Sequence, residues 1–284
     1  MSLTMRAIAY QALLEADPVR KVALTREAHA LREAPFDDLD QAYACVHPGR
    51  PARPELVHPA RVPSRGLGSA AGRAALLHAI AHIEFNAINL ALDAACRFPG
   101  LPEAYYRDWI KVAAEEALHY SLLAEYLQTY GHAYGDFAAH NGLWEMAEKT
   151  RGDLVGRMGL VPRILEARGL DVTPAIQAKL THHGERRAVE ILDVILRDEI
   201  GHVAIGNHWY AWACARHNLD PAAEFIALSL RYDAPKIRPP FNREGRLRGG
   251  FTAAELDAWE QAAPPVIQRP TPARRQPRGA TPKP

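Results

Sequence analysis

Two short runs, Glu115-Glu116-Ala117-Leu118-His119 and Asp198-Glu199-Ile200-Gly201-His202, decide how this 284-residue chain is read. Each contains Glu-x-x-His, and in each the Glu follows another acid. A three-residue step on an α-helix turns through about 300°, so Glu and His leave one face a turn apart and can hold the same ion. One copy would mean no more than a solvated face. Two copies set among apolar stripes change that reading: Glu199 and His202 align with Leu192, Ile195, Leu196 and Val203, and the helix of Glu116 carries Trp109, Val112, Leu123 and Leu127 on its stripe. Glu115 and Asp198 are placed to accept the imidazole N–H of the opposite motif and so fix its tautomer. Gly201 costs about 1 kcal/mol against Ala in a helix interior, and room beside the site is the expected gain.

Working outward, the periodicity predicts four long helices and almost no strand signal. They run from Arg73 to about Phe98, from about Pro102 to Tyr130, from Leu143 to Arg168, and to about His217 from a start either at Thr173-Pro174 or after Gly184. Twenty-five residues make a rod of roughly 38 Å, the length of a bundle helix. Glu84 sits in the first, among Leu77, Ala81, Ala87, Ile88 and Ala91. A lone buried carboxylate costs several kcal/mol, so it must be neutralised, paired or bound to a metal; on its own, Glu84 would be read as paired with Arg73. Glu84 precedes Glu116 by 32 residues, and Glu166 precedes Glu199 by 33. Read alone, Glu166 would pair with Arg163 or Arg168. Pro162 removes an N–H that would bond to Met158, which predicts a kink one turn before Glu166.

Glu, Glu-x-x-His, Glu, Glu-x-x-His in four helices is the ligand plan of the ferritin-like di-iron and di-manganese bundles, which this chain resembles. The runs His78-Ala79-Ile80-Ala81-His82-Ile83-Glu84, residues 161–171 (VPRILEARGLD) and 197–203 (RDEIGHV) are similar to the bacterial ferritin-like family catalogued as domain of unknown function 455, over about residues 5–260. The tRNA-hydroxylating members of the wider superfamily are more distant. The resemblance implies an all-α, ferritin-like four-helix bundle in which Glu84, Glu116, His119, Glu166, Glu199 and His202 hold two metal ions, with Glu115 and Asp198 behind them. Carboxylate and imidazole donors suit iron, manganese or a mixed pair, and zinc also accepts them. The activity so implied is that of an oxygen-activating oxidoreductase or hydroxylase, with a small-molecule substrate and an electron donor that the residues do not specify. Metal storage or oxidant protection without an organic substrate, and a bundle merely stabilised by metal, are the other readings.

Around this centre the chain divides into short N-terminal helices near Ala7–Ala16 and Val22–Leu31 with a Pro-rich connector (1–69), the bundle with a C-terminal extension (70–263), and a basic tail (264–284). The tail has seven prolines, five Lys or Arg and no acid, and is expected to be disordered. Arg269, Arg274, Arg275, Arg278 and Lys283 would give it at most a nonspecific, salt-dependent affinity for nucleic acid. Composition, 48% hydrophobic and 24% charged, is that of a globular protein. The formal charge of +1 hides two parts, because without the tail's five positive charges the body stands at −4. No run of about eighteen apolar residues or secretory leader is read, and Cys45, Cys96 and Cys214 form no CxxC, so a cytoplasmic protein without a membrane partner is expected. His78 and His82 lie off the stripe of Glu84 and are expected to hydrogen-bond behind the site. His182 and His183 are read as exposed, and Tyr120, Tyr126, Trp209 and Tyr210 as packing residues.

Overall fold

The computed structural model describes residues 4–36, 38–43, 47–63 and 65–262. The tail assigned to 264–284 and Cys45 lie outside the described residues. Among those described the chain is helical, with no strand and one isolated parallel bridge, Leu56 to Ala139.

Two N-terminal helices, α1 (Met5–Leu14) and α2 (Pro18–Ala30), begin earlier than the apolar periodicity implies because Thr4 and Asp17 cap them and Pro18 occupies the first turn. Buried Arg6 donates to the carbonyls of Ala95 and Cys96 at the end of α3 (Ala70–Arg97), and thereby ties α1 to the first long helix. The side chain of Ser69 accepts from Gly72 N–H and starts α3 three residues before Arg73. By length and composition α3 could cross a bilayer, but 72% of its most apolar window is buried inside the protein. It packs along α4 (Glu103–Gln128). The connector runs beside the loop after α4: Val57 N–H donates to Ala139 at 2.8 Å and Arg50 to Asn141 at 2.9 Å.

The helix expected over Leu143–Arg168 is instead three pieces. After α5 (Gly142–Lys149) the chain breaks, and Asp153 caps α6 (Leu154–Leu160) by accepting from Gly156 N–H at 2.8 Å. Val161–Glu166 then forms a π-helical turn, the form taken by the kink expected at Pro162. From Ala167 the chain continues as α7 to His182. Thr173-Pro174 is therefore no helix start. Pro174 lies inside α7, and the carbonyl its missing N–H would leave unbonded, that of Leu170, accepts from Asn242 Nδ2 at 3.1 Å. The last long helix, α8 (Arg186–Arg216), begins after Gly184, whose φ is +76°.

Both α7 and the π turn pack on α8, and α8 packs on α4. The C-terminal helices α9 (Pro221–Arg231), α10 (Arg243–Arg248) and α11 (Ala253–Ala262) follow. Arg246 pairs with Asp171 at 2.7 Å, fastening α10 to α7. A Cβ on Gly206 would fall 2.2 Å from Pro162 Cβ, so the π turn and α8 touch where α8 has no side chain. Gly201, expected to be the residue making room, has nothing within 4 Å of such an atom.

These two glycines should respond oppositely to the same change. Gly206→Ala is expected to destabilise by about 1–3 kcal/mol through overpacking. Gly201→Ala should stabilise by up to about 1 kcal/mol through helix propensity. Urea unfolding of both variants checks the pair, and equal effects would contradict the assigned contacts.

Candidate metal centre

The long helices bring their acids inward. Glu84 on α3, Glu116 and His119 on α4, and Glu199 on α8 are buried, and one ligand atom from each lies within 4.8 Å of all the others. His202 adjoins this group: its Nδ1 is 3.0 Å from Glu116 Oε1 and 3.8 Å from Glu199 Oε2. His119 Nδ1 stands 3.2 Å from Glu84 Oε2 and 3.3 Å from Glu116 Oε2. Glu116 thus turns one oxygen toward each imidazole. Glu166, at the end of the π turn, stands outside the tight group of four, yet the charges of Glu116, His202 and Glu84 act on its carboxyl.

Behind the imidazoles the two motifs are reciprocal. The other nitrogen of His119 meets Asp198 at 3.1 Å, and that of His202 meets Glu115 at 3.0 Å, so each acid serves the histidine of the opposite motif. Each acid also holds a cation nearer the surface, Arg197 on Asp198 at 2.9 Å and Lys111 on Glu115 at 2.7 Å. Sequence reading passed over both cations, although Lys111 lies one helical turn before Glu115 and Arg197 immediately before Asp198.

Several inward atoms are left without hydrogen bonds: Glu116 Oε1, Glu166 Oε2, Glu199 Oε2 and His202 Nδ1. Glu116 Oε1 and His202 Nδ1 are close without bonding to one another. Buried polar atoms are rarely left so. Two donors about 2.1 Å from one ion and at right angles lie about 3 Å apart, so these lone pairs and spacings fit a metal ion.

Protons are the alternative to a cation. Burial and the charge of Glu116 push Glu84 up to about 7, and the same two causes push Glu166 up to about 8 and Glu199 well above the usual carboxyl range. Glu116 moves down, because the neighbouring imidazoles of His202 and His119 outweigh its own burial. Against burial, Asp198, Glu116 and Glu84 raise His119 to about 12, and Glu116 with Glu115 raises His202 well above its ordinary value.

The ion pairs that would have explained the acids singly are absent among the described residues. Arg73 pairs with Glu185 at 2.5 Å, and Arg163 with Glu255 at 2.6 Å. His78 and His82 do not back the site, which corrects that expectation. His78 Nε2 accepts from Gly135 N–H at 2.9 Å, and His82 bonds to Tyr134 and to the His140 carbonyl, so both brace the loop after α4. His182 and His183 are exposed. Tyr120, Trp209 and Tyr210 are core residues, while half-buried Tyr126 bonds to Glu185 at 2.8 Å.

Fold and site together define an all-helical protein with a buried carboxylate–histidine cluster able to hold metal. Residues 14–257 match the family described as "Protein of unknown function (DUF455)", and the chain belongs to that family. An uncharacterised protein of Haemophilus influenzae is 51% identical over 214 residues, which cover 73% of this chain and 74% of that protein. No solved structure matches the chain.

The raised groups set a pH dependence. Carboxyls lifted from 4.5 to about 7 and 8 contribute stability below the unfolded value that is lost as pH climbs through the folded one. Raised histidines contribute stability that is full below 6.5 and declines above it. Both run the same way, so the metal-free protein should melt at lower temperature as pH rises from about 6.5 to 8.5. Added divalent metal replaces these protons, so its stabilising effect should grow over that range, with net proton release in calorimetry in two buffers. A metal effect independent of pH would contradict the assignment.

Proposed function

We propose that the chain is a ferritin-like four-helix bundle, formed by α3, α4, the π turn with α7, and α8, and that it is an oxygen-activating oxidoreductase with a dinuclear centre of iron, or of manganese and iron. The observation that carries this reading is Glu116, which directs one oxygen at His119 and the other at His202. Glu84, Glu116, His119 and Glu199 would hold one ion; Glu166 and His202, with Glu116 and Glu199, would hold the other. Four carboxylates balance two divalent cations, and an oxygen-and-imidazole donor set suits iron and manganese. When bound, such a pair supplies the electrons that reduce dioxygen while a small organic substrate is oxidised.

The chain's own contributions follow from the geometry. Asp198 and Glu115 accept the outer N–H of the imidazoles, which leaves Nδ1 of each with its lone pair toward the cluster. Complete burial of Glu116, His119 and His202 excludes bulk water from their side of the cluster. Lys111 and Arg197 keep the outer acids charged when the imidazoles are neutral.

Metal analysis after purification without chelator, followed by anaerobic reconstitution with Fe(II), tests the reading. About two equivalents per chain are expected. Fewer than two equivalents would overturn the dinuclear centre, and less than one, with Glu199→Ala unchanged in stability, would overturn any metal role. Asp198→Ala should weaken metal affinity about 10–100-fold. With a reductant present, repeated oxygen uptake per chain supports the oxidoreductase, whereas continued iron uptake far beyond two equivalents would indicate storage.

A further inference from the structure

Among the described residues, no hydrogen bond or ion pair places the Glu166 carboxyl. Its Oε2 is buried without a hydrogen bond, and the nearby Arg163 points elsewhere. Its position must therefore be imposed through the backbone of the π turn, and that turn is held by a specific set of contacts. Gly206 admits Pro162. Arg163 donates to Asn207 Oδ1 at 2.5 Å and to Glu255 Oε1 at 2.6 Å, and its guanidinium lies against Tyr210, Phe225 and Phe251 at 4.7–4.9 Å. Asn207 completes the link by donating to the Gly249 carbonyl at 2.5 Å. Phe251 also faces Arg246 at 5.0 Å, and Arg246 holds Asp171 on the far side of Glu166.

We infer that Arg163, with Asn207 and Glu255, is a positioning residue that holds the π turn in the register presenting Glu166, and so sets the affinity for the second of the two ions without touching it. The inference rests on the dinuclear reading above. A wider turn places the following residues out of step with a regular helix. Burying a guanidinium is costly unless its donors are matched; here Nη1 and Nη2 carry an amide and a charge-assisted bond, the group stacks on aromatic faces, and Nε is left without a hydrogen bond. The C-terminal extension supplies Glu255, the Gly249 carbonyl and Phe251, and thereby becomes part of the metal centre's support.

Cobalt(II) titration of the full chain, read by stoichiometry and by the visible absorption of the bound ion, tests this in wild type, in the three single variants Arg163→Met, Glu255→Gln and Glu166→Ala, and in the combination of the first and last. Arg163→Met keeps the bulk among the aromatic rings and loses the donors; Glu255→Gln keeps an oxygen acceptor and loses the charge, and serves if the first variant does not fold. The first equivalent should bind as in wild type in all three variants. The second should weaken by about tenfold or more in Arg163→Met and Glu166→Ala, and in the same direction in Glu255→Gln. Arg163→Met combined with Glu166→Ala should be no worse than Glu166→Ala alone, a non-additivity that general destabilisation would not produce. Two wild-type-like equivalents in both Arg163→Met and Glu255→Gln, or equal weakening of both equivalents in step with a lowered Tm, would overturn the inference alone. A wild-type chain that takes up fewer than two would overturn the dinuclear reading, and this inference with it.

Discussion

Four carboxyl groups meeting in a dry helical interior form the constraint to which the rest of the molecule answers. Glu84, Glu116, Glu166 and Glu199 are all at most 9% exposed, and their mutual repulsion has to be offset by protons or by cations. The surroundings are graded accordingly. Lys111 and Arg197 lie nearest the solvent, Glu115 and Asp198 inside them, then the two imidazoles, then the central carboxylates. With the imidazoles protonated, sign alternates from one layer to the next, and the central carboxyls are left to repel one another.

The parts of this arrangement that depend on local spacing were legible in the sequence. Helical character, the shared face of Glu116 and His119, and the acids preceding each motif can all be read within a few residues. What escaped depends on partners far along the chain. Pro174 looks like a helix start, and the Leu170 carbonyl that its place inside α7 leaves free is taken by the side chain of Asn242, 72 residues further on. Pro162 signals a kink, but the π turn it takes depends on Gly206 and on Arg163 reaching Asn207 and Glu255. Gly201 and Gly206 look equivalent in sequence, and only the approach of Pro162 separates them.

The same distinction applies to the histidines. His78 and His82 share the helix of Glu84, and their proximity in sequence suggests a role at the cluster. The loop after α4 takes their nitrogens instead, because Gly135, Tyr134 and the His140 carbonyl come within bonding distance. Helical phase narrows which residues can reach a site; the neighbouring backbone decides which of them do.

The crossing of the two motifs has a consequence for assembly. His119 takes its outer acid from a residue 79 positions later, and His202 from one 87 positions earlier. The pair α3–α4 on its own would leave an imidazole without its acid, and so would α7–α8. Each half therefore carries the piece the other lacks, so a cation bound by the complete set discriminates a chain whose halves have docked from one in which they have folded separately. For a metal held there, the binding energy would be withheld until the two halves meet.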